Sequence, residues 1–243
     1  MNQRILLITG WGGGVKLLHS LQQALQQQGH DVELINIFDA LDAQILQQQV
    51  EKARNADVII GWSLGGQLAT VLVDQIAQQY AEHKVLITLA SNPCFVANEK
   101  WPTAMDEATF ESFKQSFAKD ATGTLRKFGF MVCQGTSTAK QDFIKLQSLI
   151  QAQNLDVLSK GLNCLEKLNT VSIIQKYAGY QYHLFAKQDF LVSYKVQAYL
   201  QNLSAIFLET ELLSGSHGFP VFDVENISCK ICHYLKKISQ TNG

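Results

Sequence analysis

Ser63 is the residue of this chain best placed to do covalent chemistry. It lies in Gly61-Trp62-Ser63-Leu64-Gly65-Gly66, directly after the apolar run Val58-Ile59-Ile60 and directly before the helical pattern Leu68, Ala69, Val71, Leu72, Ile76. A strand that turns sharply into a helix at G-x-S-x-G is a nucleophile elbow. Its glycines let strand and helix pass closely, and the strained turn pushes the serine hydroxyl out at the top of a sheet. A Gly/Ser turn that merely connects a strand to a helix is the competing reading. The flanking strand and helix, which the mechanism requires, favour the elbow.

A serine hydroxyl is a weak nucleophile at neutral pH. It needs a base to take its proton and a third group to orient that base. In a parallel α/β sheet, ligands meet the carboxyl ends of the strands, so both partners belong in loops after strands, the acid before the histidine. His217 fits: it lies in Ser214-Gly215-Ser216-His217-Gly218-Phe219-Pro220, a flexible turn after a strand ending at Leu213. The other histidines fit worse. His19 is inside a helix, His30 and His83 lead into strands, His183 is mid-strand and His233 is on the last helix. Asp189, in Lys187-Gln188-Asp189-Phe190, follows a strand ending near Ala186 and is the expected acid. Its competing role is a helix N-cap. Asp39 and Asp57 precede the serine, and Asp223 more simply begins the last helix. The oxyanion needs two backbone amides, expected from Leu64 and, across the Gly10-Trp11-Gly12 loop, from Trp11. A phosphate cradle at Gly10–Gly14 competes weakly. Val15 breaks the G-x-G-x-x-G spacing, and neither Ser nor Thr follows Lys16.

Short apolar runs alternating with helical patterns must position these groups. Strands are expected over 4–9, 32–38, 57–61, 85–90, 181–186 and 205–213. Helices are expected over 15–28, 40–56, 64–81, 192–203 and 223–238. That alternation predicts a mostly parallel sheet with helices on both faces. Between 98 and 178 no strand is convincing. Phe110, Phe113 and Phe117, then Leu125, Phe128 and Met131, then Phe143, Leu146 and Ile150 recur at helical spacing. The expected division is a core of 1–97 and 179–243 and a helical insertion over 98–178.

The 243 residues carry a formal net charge of −1, which argues against general nucleic-acid binding. No apolar run reaches the roughly 18 residues of a membrane span, and the N-terminal run Ile5–Ile8 is too short for a signal peptide. The expected location is therefore cytoplasmic. The cysteines, at 94, 133, 164, 229 and 232, are odd in number and read as free thiols. Cys229-Lys230-Ile231-Cys232-His233 fits the C-x-x-C-H haem pattern. The segment reads more simply as an amphipathic helix with Val224, Ile227, Ile231, Tyr234 and Leu235 on or near one face. No metal and no cofactor are expected.

Taken together, Gly10-Trp11-Gly12, the elbow, and Ser91-Asn92-Pro93-Cys94-Phe95 followed by Trp101-Pro102 resemble the pimeloyl-[acyl-carrier protein] methyl ester esterases of biotin synthesis. The resemblance continues through Phe128, Gly135-Thr136, Thr138-Ala139 and Gln141-Asp142 to Asp189 and His217. The elbow alone indicates only an α/β-hydrolase, whereas the Ser-x-Pro-Cys-Phe stretch is more specific. The resemblance implies a helical lid over a Ser63–His217–Asp189 triad, with Trp11 and Leu64 at the oxyanion. It implies an esterase that frees methanol from pimeloyl-carrier methyl ester, with Phe128 in the acyl channel. Trp11, Ser63, Leu64, Phe128, Phe130, Met131 and His217 are expected to touch substrate. An acidic acyl carrier protein needs local positive charge on its partner. Arg126, Lys127, Lys140 and Lys145, with only Asp142 among them as an acid, are the expected contacts. A monomer is expected, with neither nucleic acid nor membrane as partner. The same triad also suits other short acyl esters or thioesters. A non-catalytic carrier-binding module is disfavoured because all three triad positions are filled. The chain departs from the family in having Thr9 before Gly10, where His is usual, and in starting almost at the Gly-Trp-Gly loop. The expected sheet is therefore short, with the 32–38 strand at its edge.

Overall fold

The computed structural model describes residues 2–241. Its strands are β1 (Arg4–Ile8), β2 (Asp31–Ile35), β3 (Val58–Trp62), β4 (Val85–Leu89), β5 (Gln181–Ala186) and β6 (Leu208–Leu213). They form one six-stranded sheet in the order β2-β1-β3-β4-β5-β6, and every neighbouring pair is parallel. The mostly parallel sheet with helices on both faces expected from the alternation is present, with the 32–38 strand, shortened, at an edge. All five residues of β3 are buried, as befits a central strand covered on both faces.

The helices are α1 (His19–Gln27), α2 (Ala43–Ala53), α3 (Leu64–Tyr80), α4 (Glu107–Lys119), α5 (Ala121–Cys133), α6 (Ala139–Leu149), α7 (Leu155–Lys167), α8 (Val171–Lys176), α9 (Val196–Gln201), α10 (Phe219–Phe222) and α11 (Val224–Thr241). A 3-10 turn, Val15–Leu18, leads into α1. Each sheet face has its own core. Leu21 and Leu25 of α1 and Ile227, Ile231 and Tyr234 of α11 pack on Ile5, Leu7, Val58 and Ile60. Val50 of α2 and Leu68, Leu72, Val73 and Ile76 of α3 pack on Leu6, Ile8, Ile59 and Leu86. Burying each such side chain contributes about 1.5–3 kcal/mol.

The order of the strands decides where a site can form. From β1 the chain turns to α1 on one face; from β3 it turns to α3 on the other. The loops at the carboxyl ends of these adjacent strands therefore diverge and leave a crevice between them. Gly10–Gly14 and Ser63 both sit at this crevice.

Several elements are shorter than their patterns suggest. β2 stops at Ile35, where Thr9 N–H makes the last bond of the pair, to the Ile35 carbonyl at 3.1 Å. Ile37 is nonetheless buried, in the core between sheet and insertion, with its Cδ1 2.8 Å from where a Gly161 Cβ would be. The helix expected over 40–56 begins at Ala43, because the Asp42 carboxylate accepts from the N–H groups of Gln44 and Ile45. The helix expected from 192 begins at Val196, because Asp189 holds the N–H groups of Leu191 and Val192 in a turn.

Five helices, α4 to α8, form the insertion between β4 and β5. Its first segment is pinned to the end of β4 by the stretch that carries the family resemblance. Asn92 Oδ1 accepts from the Trp101 indole at 2.8 Å. The Pro93 carbonyl accepts from Thr170 N–H at 2.8 Å and from the Gln67 amide at 3.3 Å. The specific motif thus fastens the insertion to the core.

Candidate active site

Ser63 joins β3 to α3 with φ 56° and ψ −121°. A non-glycine residue at positive φ carries about 1–3 kcal/mol of strain and persists only where its surroundings enforce it. Here the enforcement is visible. Ser63 N–H donates to the Leu89 carbonyl at 2.9 Å, and the Ser63 carbonyl accepts from Gly66 N–H at 2.9 Å. The elbow glycines are required by close approach. A Cβ on Gly61 would lie 2.0 Å from the Gly65 oxygen, one on Gly65 2.4 Å from the Thr9 oxygen, and one on Gly66 2.4 Å from Ser91 Cβ. Across the crevice, a Cβ on Gly10 would be 3.1 Å from Ser63 Cβ, so the loop after β1 lies against the serine. Trp11 follows Gly10 and Leu64 follows Ser63, which brings both expected oxyanion residues to the same end of the sheet.

His217 and Asp189 meet across the loops that follow β6 and β5. His217 Nδ1 lies 2.8 Å from Asp189 Oδ2, and both side chains are only 1% exposed. The other carboxylate oxygen, Oδ1, accepts from the N–H groups of Leu191 and Val192, each at 2.8 Å. Asp189 caps no helix, since α9 begins only at Val196; its Oδ1 holds the turn after β5 while Oδ2 faces the imidazole. His217 Nε2 is buried and takes no hydrogen bond among the described residues, so the Ser63–His217 bond is open in this state. Such bonds are commonly long without substrate.

The loop bearing His217 is not the flexible turn expected from its glycines. It is knitted to its neighbours. Gln188 N–H donates to the Gly215 carbonyl at 3.0 Å, Gly215 N–H donates to Gln188 Oε1 at 2.7 Å, and Gly218 N–H donates to the Val132 carbonyl of α5 at 3.0 Å. The indole N–H of Trp62 donates to the His217 carbonyl at 3.0 Å, tying the residue before the serine to the main chain of the histidine. Trp62 and Gln188 went unrecognised as site residues on sequence. The position of Trp62 inside the elbow was the only available signal for it.

A wholly apolar cavity of about 30 Å³ lies under the insertion. Trp11, Phe128 and Met131 line it together with Phe113, Leu162 and Leu191. Phe130 does not. It is 46% exposed, with its ring against Phe143 at 5.7 Å, because it lies on the opposite face of α5 from Phe128. Arg126, Lys127, Lys140 and Lys145 are all exposed on α5 and α6, and none forms an ion pair among the described residues. Lys145 lies over the Phe222 ring at 5.9 Å. A larger groove, about 580 Å³, runs between β6 and α11, lined by charged residues such as Glu209, Glu211 and Lys230, and contains none of the triad.

The remaining candidates settle elsewhere. Phe128 also closes over the glycine loop, 3.3 Å from where a Gly12 Cβ would be. His183 is buried in β5 against Thr88. Cys229 and Cys232 lie on α11, and Cys232 Sγ is 3.5 Å from His30 Nε2. All five cysteines are free thiols. No helix among the described residues is long and apolar enough to cross a membrane.

Comparison with known proteins agrees with this architecture. Residues 16–128 match a family described as "Uncharacterised protein family (UPF0227)". The bromoperoxidase from Bacillus anthracis superposes with a TM-score of 0.81 at 15% identity, covering 97% of this chain and 92% of that one. An esterase from Exiguobacterium antarcticum superposes at 0.77 with 14% identity, covering 96% and 92%. At these identities the likeness is one of fold. The sequence relationship is closer: the pimeloyl-[acyl-carrier protein] methyl ester esterase of Salmonella typhi is 30% identical over 214 residues, covering 83% of this chain and 82% of that protein. A strained serine at the switch point of a parallel sheet and a buried His–Asp pair in the loops at the same end of that sheet are the arrangement of a serine-type carboxylic ester hydrolase, and the chain belongs to the family of the pimeloyl-[acyl-carrier protein] methyl ester esterases.

Proposed function

We propose that this protein hydrolyses the methyl ester of a pimeloyl group carried on acyl carrier protein, with Ser63 as nucleophile. The observation that carries the reading is the buried His217–Asp189 pair, 2.8 Å apart, whose histidine main chain is bonded to Trp62, the residue before the elbow serine, in a chain of this family. With Asp189 on Nδ1, the neutral imidazole holds its proton there and leaves Nε2 free to accept one. Ser63 Oγ attacks the ester carbonyl while Nε2 takes the hydroxyl proton. The tetrahedral oxygen then draws on the main-chain N–H groups of Trp11 and Leu64. Each such donor is worth about 10²–10³ in turnover. His217 returns the proton to the departing methoxide, which leaves as methanol. It next deprotonates a water that attacks the acyl-enzyme, and protonation of Ser63 frees the carboxylic acid.

The apolar cavity supports an aliphatic acyl segment and disfavours a free carboxylate, which would lose its hydration without gaining a partner. A space of about 30 Å³ is close to the share of one water in the liquid. A longer acyl chain therefore enters only as side chains of the insertion move aside. The exposed Arg126, Lys127, Lys140 and Lys145 supply the positive charge that would steer an acidic carrier.

Methanol release from pimeloyl-carrier methyl ester tests the reading directly. The wild-type protein should release it, and Ser63→Ala should lower turnover by at least about 10³-fold with folding intact. The same pair should restore, and fail to restore, growth of a biotin-requiring strain lacking its esterase. Hydrolysis of p-nitrophenyl esters without turnover of the carrier-bound substrate would leave the serine hydrolase and remove the substrate.

A further inference from the structure

Trp11 is held from the side of the insertion. Its indole N–H donates to the Leu158 carbonyl of α7 at 2.8 Å, in a buried setting. Gly161 lies three residues further along α7, on the same helix face. A Cβ at position 161 would lie 2.8 Å from Trp11 Cδ1, 2.8 Å from Ile37 Cδ1 and 3.4 Å from Leu64 Cδ2. One face of α7 therefore touches the side chains of both residues whose main-chain N–H groups face the oxyanion in the reading above.

Glycine is a poor choice for the interior of a helix, because it has more conformational freedom to lose than alanine. Its presence in the middle of α7 calls for a reason, and the approach of Trp11 provides one. The end of the Ile37 side chain could turn aside from an added methyl group. The indole could not. It makes edge contacts with Phe113, Phe117 and Phe128 at centroid distances of 5.6, 5.5 and 4.9 Å, and its N–H is already committed to Leu158. A methyl group at 161 would push the ring, and with it the backbone that presents the Trp11 N–H.

We infer that α7 is a positioning element of the oxyanion hole: the Leu158 carbonyl and the bare backbone at Gly161 set the place of Trp11 relative to Ser63. The insertion then does more than cover the acyl group, since part of the catalytic geometry hangs from it. Such donors act through their preset aim, so a displacement of a fraction of an ångström lowers turnover without weakening ground-state binding. This inference rests on the assignment of Ser63 as nucleophile with Trp11 and Leu64 at the oxyanion.

The test uses Gly161→Ala, which adds the methyl group, and Trp11→Phe, which keeps a ring and deletes the N–H. Hydrolysis of p-nitrophenyl acetate gives kcat and KM. A trifluoromethyl ketone, whose hemiketal oxygen occupies the oxyanion position, gives an inhibition constant, and thermal melting reports the fold. Both variants should lose about tenfold or more in kcat with KM within about twofold, and ketone affinity should fall in parallel with kcat. Gly161→Ala should melt within a few degrees of wild type, because the helix preference of alanine offsets part of the cost of displacing the indole. The double variant should lose less than the product of the two single losses, because both act on one contact. Wild-type kcat and ketone affinity in both variants would overturn this inference alone, as would a rise in KM at unchanged kcat. A wild-type protein that neither hydrolyses the ester nor reacts with a fluorophosphonate would overturn it together with the hydrolase reading.

Discussion

Asp189 divides its two carboxylate oxygens between its own turn and the imidazole of His217. Oδ1 holds the turn after β5 through Leu191 and Val192, while Oδ2 meets His217. The acid therefore cannot swing away from the imidazole without undoing its own loop. Asp189→Asn should keep the turn, since an amide oxygen can still accept from both N–H groups. Its NH₂ would then face Nδ1 and favour the wrong imidazole tautomer. By analogy with the same change in a serine protease triad, kcat should fall by about 10⁴-fold. The melting temperature should stay within a few degrees, and steady-state kinetics beside a thermal melt would check both halves. Trp62 works at the same scale from the other side. Its indole fixes the His217 main chain, so the imidazole is located by a side-chain bond at one end and a backbone bond at the other.

The site depends on elements that approach one another more closely than side chains allow. The elbow brings the first turn of α3 against the ends of β1 and β3, and Gly65 faces two carbonyl oxygens of β1 and its following residue. Gly65→Ala would place a methyl carbon 2.4 Å from the Thr9 oxygen and 2.5 Å from the Ile8 oxygen, both main-chain atoms. The strand would have to yield. The expected loss is about 1–3 kcal/mol of stability, measured by denaturant unfolding, together with slower fluorophosphonate labelling of Ser63. The insertion is fastened in a comparable way at several points. Trp101 reaches Asn92, Thr170 reaches Pro93, and Val132 of α5 takes the N–H of Gly218 beside the histidine. Helices that cover the site are thus joined to the loops that carry it.

At the scale of the whole molecule, the core contains a histidine that the chemistry does not use. His183 lies in β5 with Nδ1 2.7 Å from Thr88 Oγ1, and burial pushes its pKa from 6.5 down to about 3. The unfolded chain therefore binds a proton there between pH 6.5 and about 3 that the folded chain does not. The stability tied to this neutral imidazole is fully present above pH 6.5 and is lost as pH falls towards 3, at up to about 1.4 kcal/mol per pH unit. Denaturant unfolding at pH 6.5 and pH 5 should show this decline before most carboxylates protonate. His183→Gln should flatten it, whatever its effect on stability at pH 7. An unchanged slope in the variant would assign the decline to other groups.

Much of this protein was legible along the chain. β3, the elbow and α3 form a contiguous signal, because a buried central strand is apolar throughout and its turn needs glycine at three nearby positions. The loops that carry Asp189 and His217 followed from strands that end where parallel sheets collect ligands. Other features had no local signature. Where β2 stops and that the glycine-rich loop around His217 is tightly bonded were decided by contacts with distant segments. The same holds for the indole of Trp11 reaching Leu158 and for the bare backbone at Gly161. Sequence sets the chemistry each residue can offer and the period of each element, both of which are local quantities. Distances between residues far apart in the chain arise only when the two cores close over the sheet, and the fine geometry of a catalytic site consists of such distances.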